Sequence, residues 1–146
     1  MSTPFFRGAA GERDPALKGR PSPRARPIGD TLKAPLAFTP LHRHELRNAF
    51  RLAVFRKVLT VKRCRAVLEE IEIDTKTGAL LETPVSWAEV YTEAETLSAA
   101  RTERLGTGAF DVLHVAAAAA LGVKHFYTFD ARQKALAVKA GMKVKP

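Results

Sequence analysis

Residues 108–130 read GAFDVLHVAAAAALGVKHFYTFD, and this stretch decides the fold class. From Ala109 to Leu121 the chain is almost wholly apolar, with one acid near its start and Gly122 immediately after it, the pattern of a helix that ends on a C′ glycine. The run falls short of the roughly 18 consecutive apolar residues that mark a membrane span, so it predicts a buried helix. Lys124 to Phe129 then has the aromatic and β-branched content of a strand and leads into Asp130.

Two acids stand in this apolar setting. Asp111 shares a helical face with Val115 and Ala118, with His114 one position to the side, so its carboxylate is expected to point toward protein. Asp130 lies at the carboxyl end of a strand, where open α/β sheets place their ligand sites. An acid drawn into such surroundings needs a cation, a set of donors or a metal.

Working outward, 146 residues suit one domain plus a tail, given roughly 100–200 residues per domain. With 46% hydrophobic and 27% charged residues the chain as a whole is globular rather than disordered. Lys and Arg outnumber Asp and Glu by 24 to 15, and the formal charge of +9 favours polyanionic partners, nucleic acid ahead of an anionic membrane surface. Cys64 is the sole cysteine, which excludes an intrachain disulfide and a cysteine-based zinc cluster and fits a reducing, cytoplasmic setting. No long apolar segment lies between Met1 and Pro40, so neither a secretory signal nor a membrane anchor is expected.

Residues 1–35 are rich in Pro, Gly and Arg without a helical or strand period, and are expected to form a disordered basic tail. The folded domain is expected over residues 36–146. Leu36 to Thr39 reads as a short strand, and Thr39 as N-cap with Pro40 at the first helical position starts a helix to about Arg56. Leu41, Glu45, Ala49 and Leu52 share its apolar stripe, which makes Glu45 a third acid expected to face inward, opposite a basic face of Arg43, Arg47 and Arg51.

A second helix is predicted from Val61 to Glu72, capped by Thr60, with Val61, Cys64, Val67, Leu68 and Ile71 inward. Residues 74–81 read as a turn or loop. Ser86 caps a third helix to about Arg101, with Val90, Tyr91, Ala94 and Leu97 as its core stripe and Trp87 packing its start. Beyond Asp130, a short helix over 131–140 points Leu136 inward and Arg132, Lys134 and Lys139 outward, and 142–145 reads as an edge strand. Strands alternating with helices predict an α/β class with a mainly parallel sheet.

Glu45, Asp111 and Asp130 come from three separate elements. If they converge, their mutual repulsion requires something positive between them, and an all-oxygen set suits Mg²⁺ or Mn²⁺. Such a site can activate water and stabilise the charge that builds up on a phosphate, which on a basic protein suggests a nuclease. Each acid also has a plainer reading: Asp130 as the cap of the following helix, Asp111 at the positive end of its own, Glu45 paired with Arg43 or Arg47. The stretch HELRN, after His42, misses the zinc motif HExxH because Asn48 stands where the second histidine belongs.

LHRHELRNAF, GAFDVLHVAAAAALG, HFYTFDARQKALA and AGMKVKP, in this order and spacing, resemble the PIN-domain family, which includes the VapC-type toxin ribonucleases. The likeness covers about Leu36 to Pro146. It implies a three-layer α/β/α fold, a divalent-metal site and endonucleolytic cleavage of RNA, with a cognate antitoxin protein and a homodimer as possible partners. Glu45, Asp111 and Asp130 match the family's metal-binding acids; Asn48 and Thr128 match polar positions near them, and His114 joins them as a supporting residue. The family opens on an apolar strand ending in an aspartate, and nothing in residues 1–35 has that form: Asp14 precedes Pro15, and Asp30-Thr31 has only Ile28 as apolar lead-in. The expectation is therefore a PIN-like fold without its first strand. The resemblance implies either a Mg²⁺- or Mn²⁺-dependent ribonuclease or an impaired module that binds RNA or an antitoxin without turnover.

Overall fold

The computed structural model describes residues 36–145. The tail read in residues 1–35, and Asp14 and Asp30 within it, lie outside the described residues. Those described form two compact units, 36–84 and 85–145. The chain is mixed α/β and mostly helical, with short parallel strands. Among the described residues the strands form a two-stranded parallel pair in each unit.

The first unit runs β1 (Leu36–Phe38), α1 (Pro40–Phe55), α2 (Val61–Thr77) and β2 (Leu80–Glu82). β1 and β2 pair in parallel, Leu36 opposite Leu80 and Phe38 opposite Glu82. Parallel strands need a long crossover, and α1 and α2 supply it. β2 forms where the sequence predicts only a loop. A three-residue strand carries little pattern of its own, and its register comes from β1.

α1 starts as Thr39 and Pro40 predict, with one addition. The Thr39 hydroxyl accepts from the His42 backbone N–H at 3.4 Å, while His42 Nδ1 accepts from the Thr39 N–H at 3.2 Å, a capping box with histidine in the place of Glu or Gln. Both residues are buried, and the His42 ring stacks on Phe38 with centroids 6.3 Å apart. His42 and Leu46, one helical turn apart, face inward, Glu45 is half-buried beside them and Leu52 is exposed, so the stripe predicted through Leu41, Glu45, Ala49 and Leu52 is displaced. Thr39→Ala removes the cap and is expected to lower stability by about 1–2 kcal/mol, read as a reduced midpoint in urea denaturation.

The basic face of α1 is partly engaged. Arg43 donates to Glu72 at 2.6 Å and to Glu82 at 3.4 Å, and Arg47 also donates to Glu72, so α1 is tied to α2 and β2 through one carboxylate pair. α2 buries Cys64 and Ile71, as expected, but Val61 in its first turn is exposed. The helix continues past Glu72 to Thr77, where Gly78, at φ +80°, supplies the left-handed stop, and the hydroxyls of Thr75 and Thr77 donate back to the Ile71 and Ile73 carbonyls within it. Near that end, partial burial and the neighbouring Glu70 carboxylate hold the Asp74 carboxyl above its ordinary range.

The second unit runs α3 (Trp87–Leu105), α4 (Ala109–Ala120), β3 (His125–Tyr127), α5 (Ala131–Lys139) and β4 (Lys143–Lys145). α3 continues four residues beyond Arg101 and stops at Gly106, whose φ of +63° a side chain would strain. Val90, Ala94 and Leu97 are buried as predicted, whereas Tyr91 is exposed. They pack with Val112, Val115, Ala116 and Ala117 of α4, Phe126 of β3, Leu136 and Ala137 of α5, and Met142 in one core cluster. The small alanines of α4 let the longer α3 side chains seat against it. β3 and β4 pair in parallel across α5, His125 opposite Lys143 and Tyr127 opposite Lys145.

Candidate functional site

The second unit brings two of the predicted acids onto one residue, Gln133. Asp130 is the N-cap of α5: its Oδ1 accepts from the backbone N–H groups of Arg132 at 2.8 Å and Gln133 at 3.0 Å, so the plain capping reading holds. Asp111 sits in the first turn of α4, where the helix dipole favours an anion. Both carboxylates are half-buried. Gln133, fully buried, donates from Nε2 to Asp111 Oδ1 at 3.2 Å.

Thr128 closes the arrangement. It follows β3, is buried, donates from its hydroxyl to Gln133 Oε1 at 2.6 Å and accepts from the Asp130 N–H at 3.1 Å. An ionised carboxylate only accepts, so the Gln133 amide must turn its NH₂ toward Asp111 and its oxygen toward Thr128. The chain of bonds thus runs from the Asp130 N–H through Thr128 and Gln133 to Asp111, and returns through the Gln133 backbone to the Asp130 carboxylate. The adjoining loop is tied to the same helix: Arg132 donates to the Gly106 carbonyl at 3.1 Å. At Gly108 an added Cβ would lie 3.5 Å from Asp111 Oδ2, so that acid runs close beside the loop backbone.

The other candidates fall as follows. His114 lies on α4 and is buried, in keeping with a core histidine. Glu45 and Asn48 belong to α1 of the first unit, half-buried and exposed respectively. Gln133 was not among the predicted site residues, although a signal for it exists. It precedes Leu136 by three and Ala137 by four, so a polar amide occupies the apolar stripe of α5.

No family model matches this chain, and no curated protein matches it. Among the described residues, no group of three or more His, Cys, Asp or Glu side chains is placed to hold a metal ion, and no helix is long and apolar enough to cross a membrane. The two acids joined at Gln133 are oxygen donors, the kind of ligand a hard cation takes. Mg²⁺ commonly takes one or two carboxylates and completes its shell with waters and substrate phosphate oxygens; here Asp111 accepts from the Gln133 side-chain amide and Asp130 from the Gln133 backbone N–H.

Proposed function

We propose that the chain is a PIN-type endoribonuclease dependent on Mg²⁺ or Mn²⁺, with a three-layer fold around the described strands, acting as the toxin of a toxin–antitoxin pair. The observation that carries the reading is the joining of Asp111 and Asp130 through Gln133. Asp111 and Asp130 would hold the cation. When bound, it supplies Lewis-acid stabilisation of phosphate charge and lowers the pKa of water. Asp111 offers its carboxylate from the start of α4 and Asp130 from the start of α5, while the +9 charge of the chain draws RNA toward the protein. Thr128 keeps the strand end and the cap in register through its two hydrogen bonds.

The test is a titration of the purified protein with Mg²⁺ and then Mn²⁺, following thermal stability and cleavage of a mixed RNA pool in the same samples. A functioning site predicts stabilisation of about 2.7 kcal/mol at a hundred times the dissociation constant, together with metal-dependent cleavage. Glu45→Gln in the same assay reports whether the third acid of the resemblance contributes. A stable protein showing neither effect overturns the nuclease reading. The lack of an apolar strand ending in aspartate in the sequence of residues 1–35 favours a second reading, an impaired module that binds RNA or an antitoxin without turnover. Metal-independent RNA binding without cleavage is its signature.

A further inference from the structure

We propose that the turn end of the α1–α2 hairpin is a docking surface for an anionic phospholipid membrane, where Phe55, Val58 and Val61 enter the lipid interface and a collar of Lys and Arg meets the headgroup phosphates. None of these residues belongs to the metal-dependent reading above. Phe55 is 82% exposed, Val58 73% and Val61 54%, with Leu52 at 37% in the last turn of α1. Single exposed apolar side chains are ordinary, whereas a group of them at one turn marks a contact surface. The charge around them has one sign. Between Glu45 and Glu69 the sequence carries seven Lys and Arg and no acid, and Arg51, Arg56, Lys57, Lys62 and Arg65 are exposed.

Local stability does not call for this arrangement. α1 ends in a Schellman motif, in which the Lys57 N–H donates to the Val54 carbonyl and the Val58 N–H to the Ala53 carbonyl, both at 2.9 Å. The motif puts its C′ residue in the left-handed region and usually takes glycine there, yet Lys57 holds the position at φ +59°. Val58, the residue that commonly packs back on the helix in such a motif, is open to water instead. Lys62 and Arg63 stand in the first turn of α2, which has no acid although the helix dipole favours one. These choices cost stability, and each adds charge or apolar surface to the same turn.

An anionic bilayer uses both features. Apolar side chains seat at the boundary of headgroups and acyl chains, while Lys and Arg gain from the negative surface potential. RNA phosphates would answer to the cations, but Leu52, Val58 and Val61 have no ring to stack on a base. A peptide needs a groove to lie in, and side chains as bare as Phe55 and Val58 stand out from a surface rather than line one. A second copy placed on the same patch would set like charges against each other.

The experiment sediments the full chain with vesicles of phosphatidylcholine alone and of phosphatidylcholine with phosphatidylserine, at low and high salt, for wild type, the double variant Phe55→Ser with Val58→Ser, and Lys57→Gly. Wild type is expected to bind the phosphatidylserine vesicles and not the neutral ones, and to bind less at high salt. The double variant is expected to lower the partition coefficient about tenfold or more, since two side chains lose their burial in the interface. Lys57→Gly is expected to melt at a higher temperature, because glycine adopts the left-handed φ without strain, and to bind about fivefold more weakly through the lost charge. Stability and binding then move in opposite directions, which a purely structural role does not produce, and Lys57→Gly carries the test should the double variant fail to fold. Wild type that does not bind, or binding that both variants leave at the wild-type value, overturns the proposal. Loss of RNA binding or of self-association in the double variant, with no vesicle binding by wild type, assigns the turn to one of those partners and overturns it as well.

Discussion

Asp111→Asn is expected to reduce Mg²⁺-dependent RNA cleavage by on the order of a hundredfold or more while the protein stays folded. The substitution changes charge with almost no change in shape. The new amide oxygen can still accept from Gln133 Nε2, so the bonds from Thr128 through Gln133 can persist. Loss of an anion from the first turn of α4 costs only about 0.3–1 kcal/mol. Cation binding suffers more, because a neutral amide replaces one of two carboxylates, and stabilisation of phosphate charge worth several kcal/mol corresponds to a factor of ten for each 1.36 kcal/mol. Cleavage rates and melting curves with and without Mg²⁺ check both halves of the expectation. A variant that keeps wild-type cleavage would make Asp111 a helix-start residue and nothing more.

The largest effect on stability is expected from Phe126→Ala, a loss of about 3–5 kcal/mol. Phe126 is 3% exposed, in the middle of β3, and belongs to the core cluster with Val115, Leu136 and Met142. Removing its ring leaves a cavity that the alanine-rich face of α4 is poorly able to fill, since those side chains have no length to extend into it. Against a usual total of about 5–15 kcal/mol, this leaves the second unit marginal. Two residues further on is Thr128, so the same change loosens the strand end that carries the hydrogen bonds to Gln133 and Asp130. Urea denaturation followed by circular dichroism measures the loss. A change under about 1 kcal/mol would mean that the site is collapsible and that Phe126 is not a principal core anchor.

Much of the helical content was legible because its signals are local. Thr39 with Pro40, Gly122 and Gly141 mark starts and stops within a few residues of the backbone they govern, and α1, α4 and α5 begin or end close to those marks. Helix faces were read less well. Periodicity places Tyr91 in the core, yet it is exposed, because two adjacent apolar residues, Val90 and Tyr91, fit the same stripe and only packing decides that Val90 fills the interior. α1 buries His42 and Leu46 rather than its predicted stripe, and the bonds of His42 to Thr39 are ones that hydrophobic periodicity does not register.

By itself the sequence determined the α/β class, the order of the helices and the two acids at element starts, since caps, glycines and periodicity act over neighbouring residues. Only the tertiary structure decided that the strands pair as β1 with β2 and β3 with β4, because three-residue strands acquire register from a partner far along the chain. It also decided that Asp111 and Asp130, 19 positions apart in the sequence, meet at Gln133, Asp111 at its side-chain amide and Asp130 at its backbone N–H. That convergence depends on α4 packing against α5, and no spacing rule within either helix carries it.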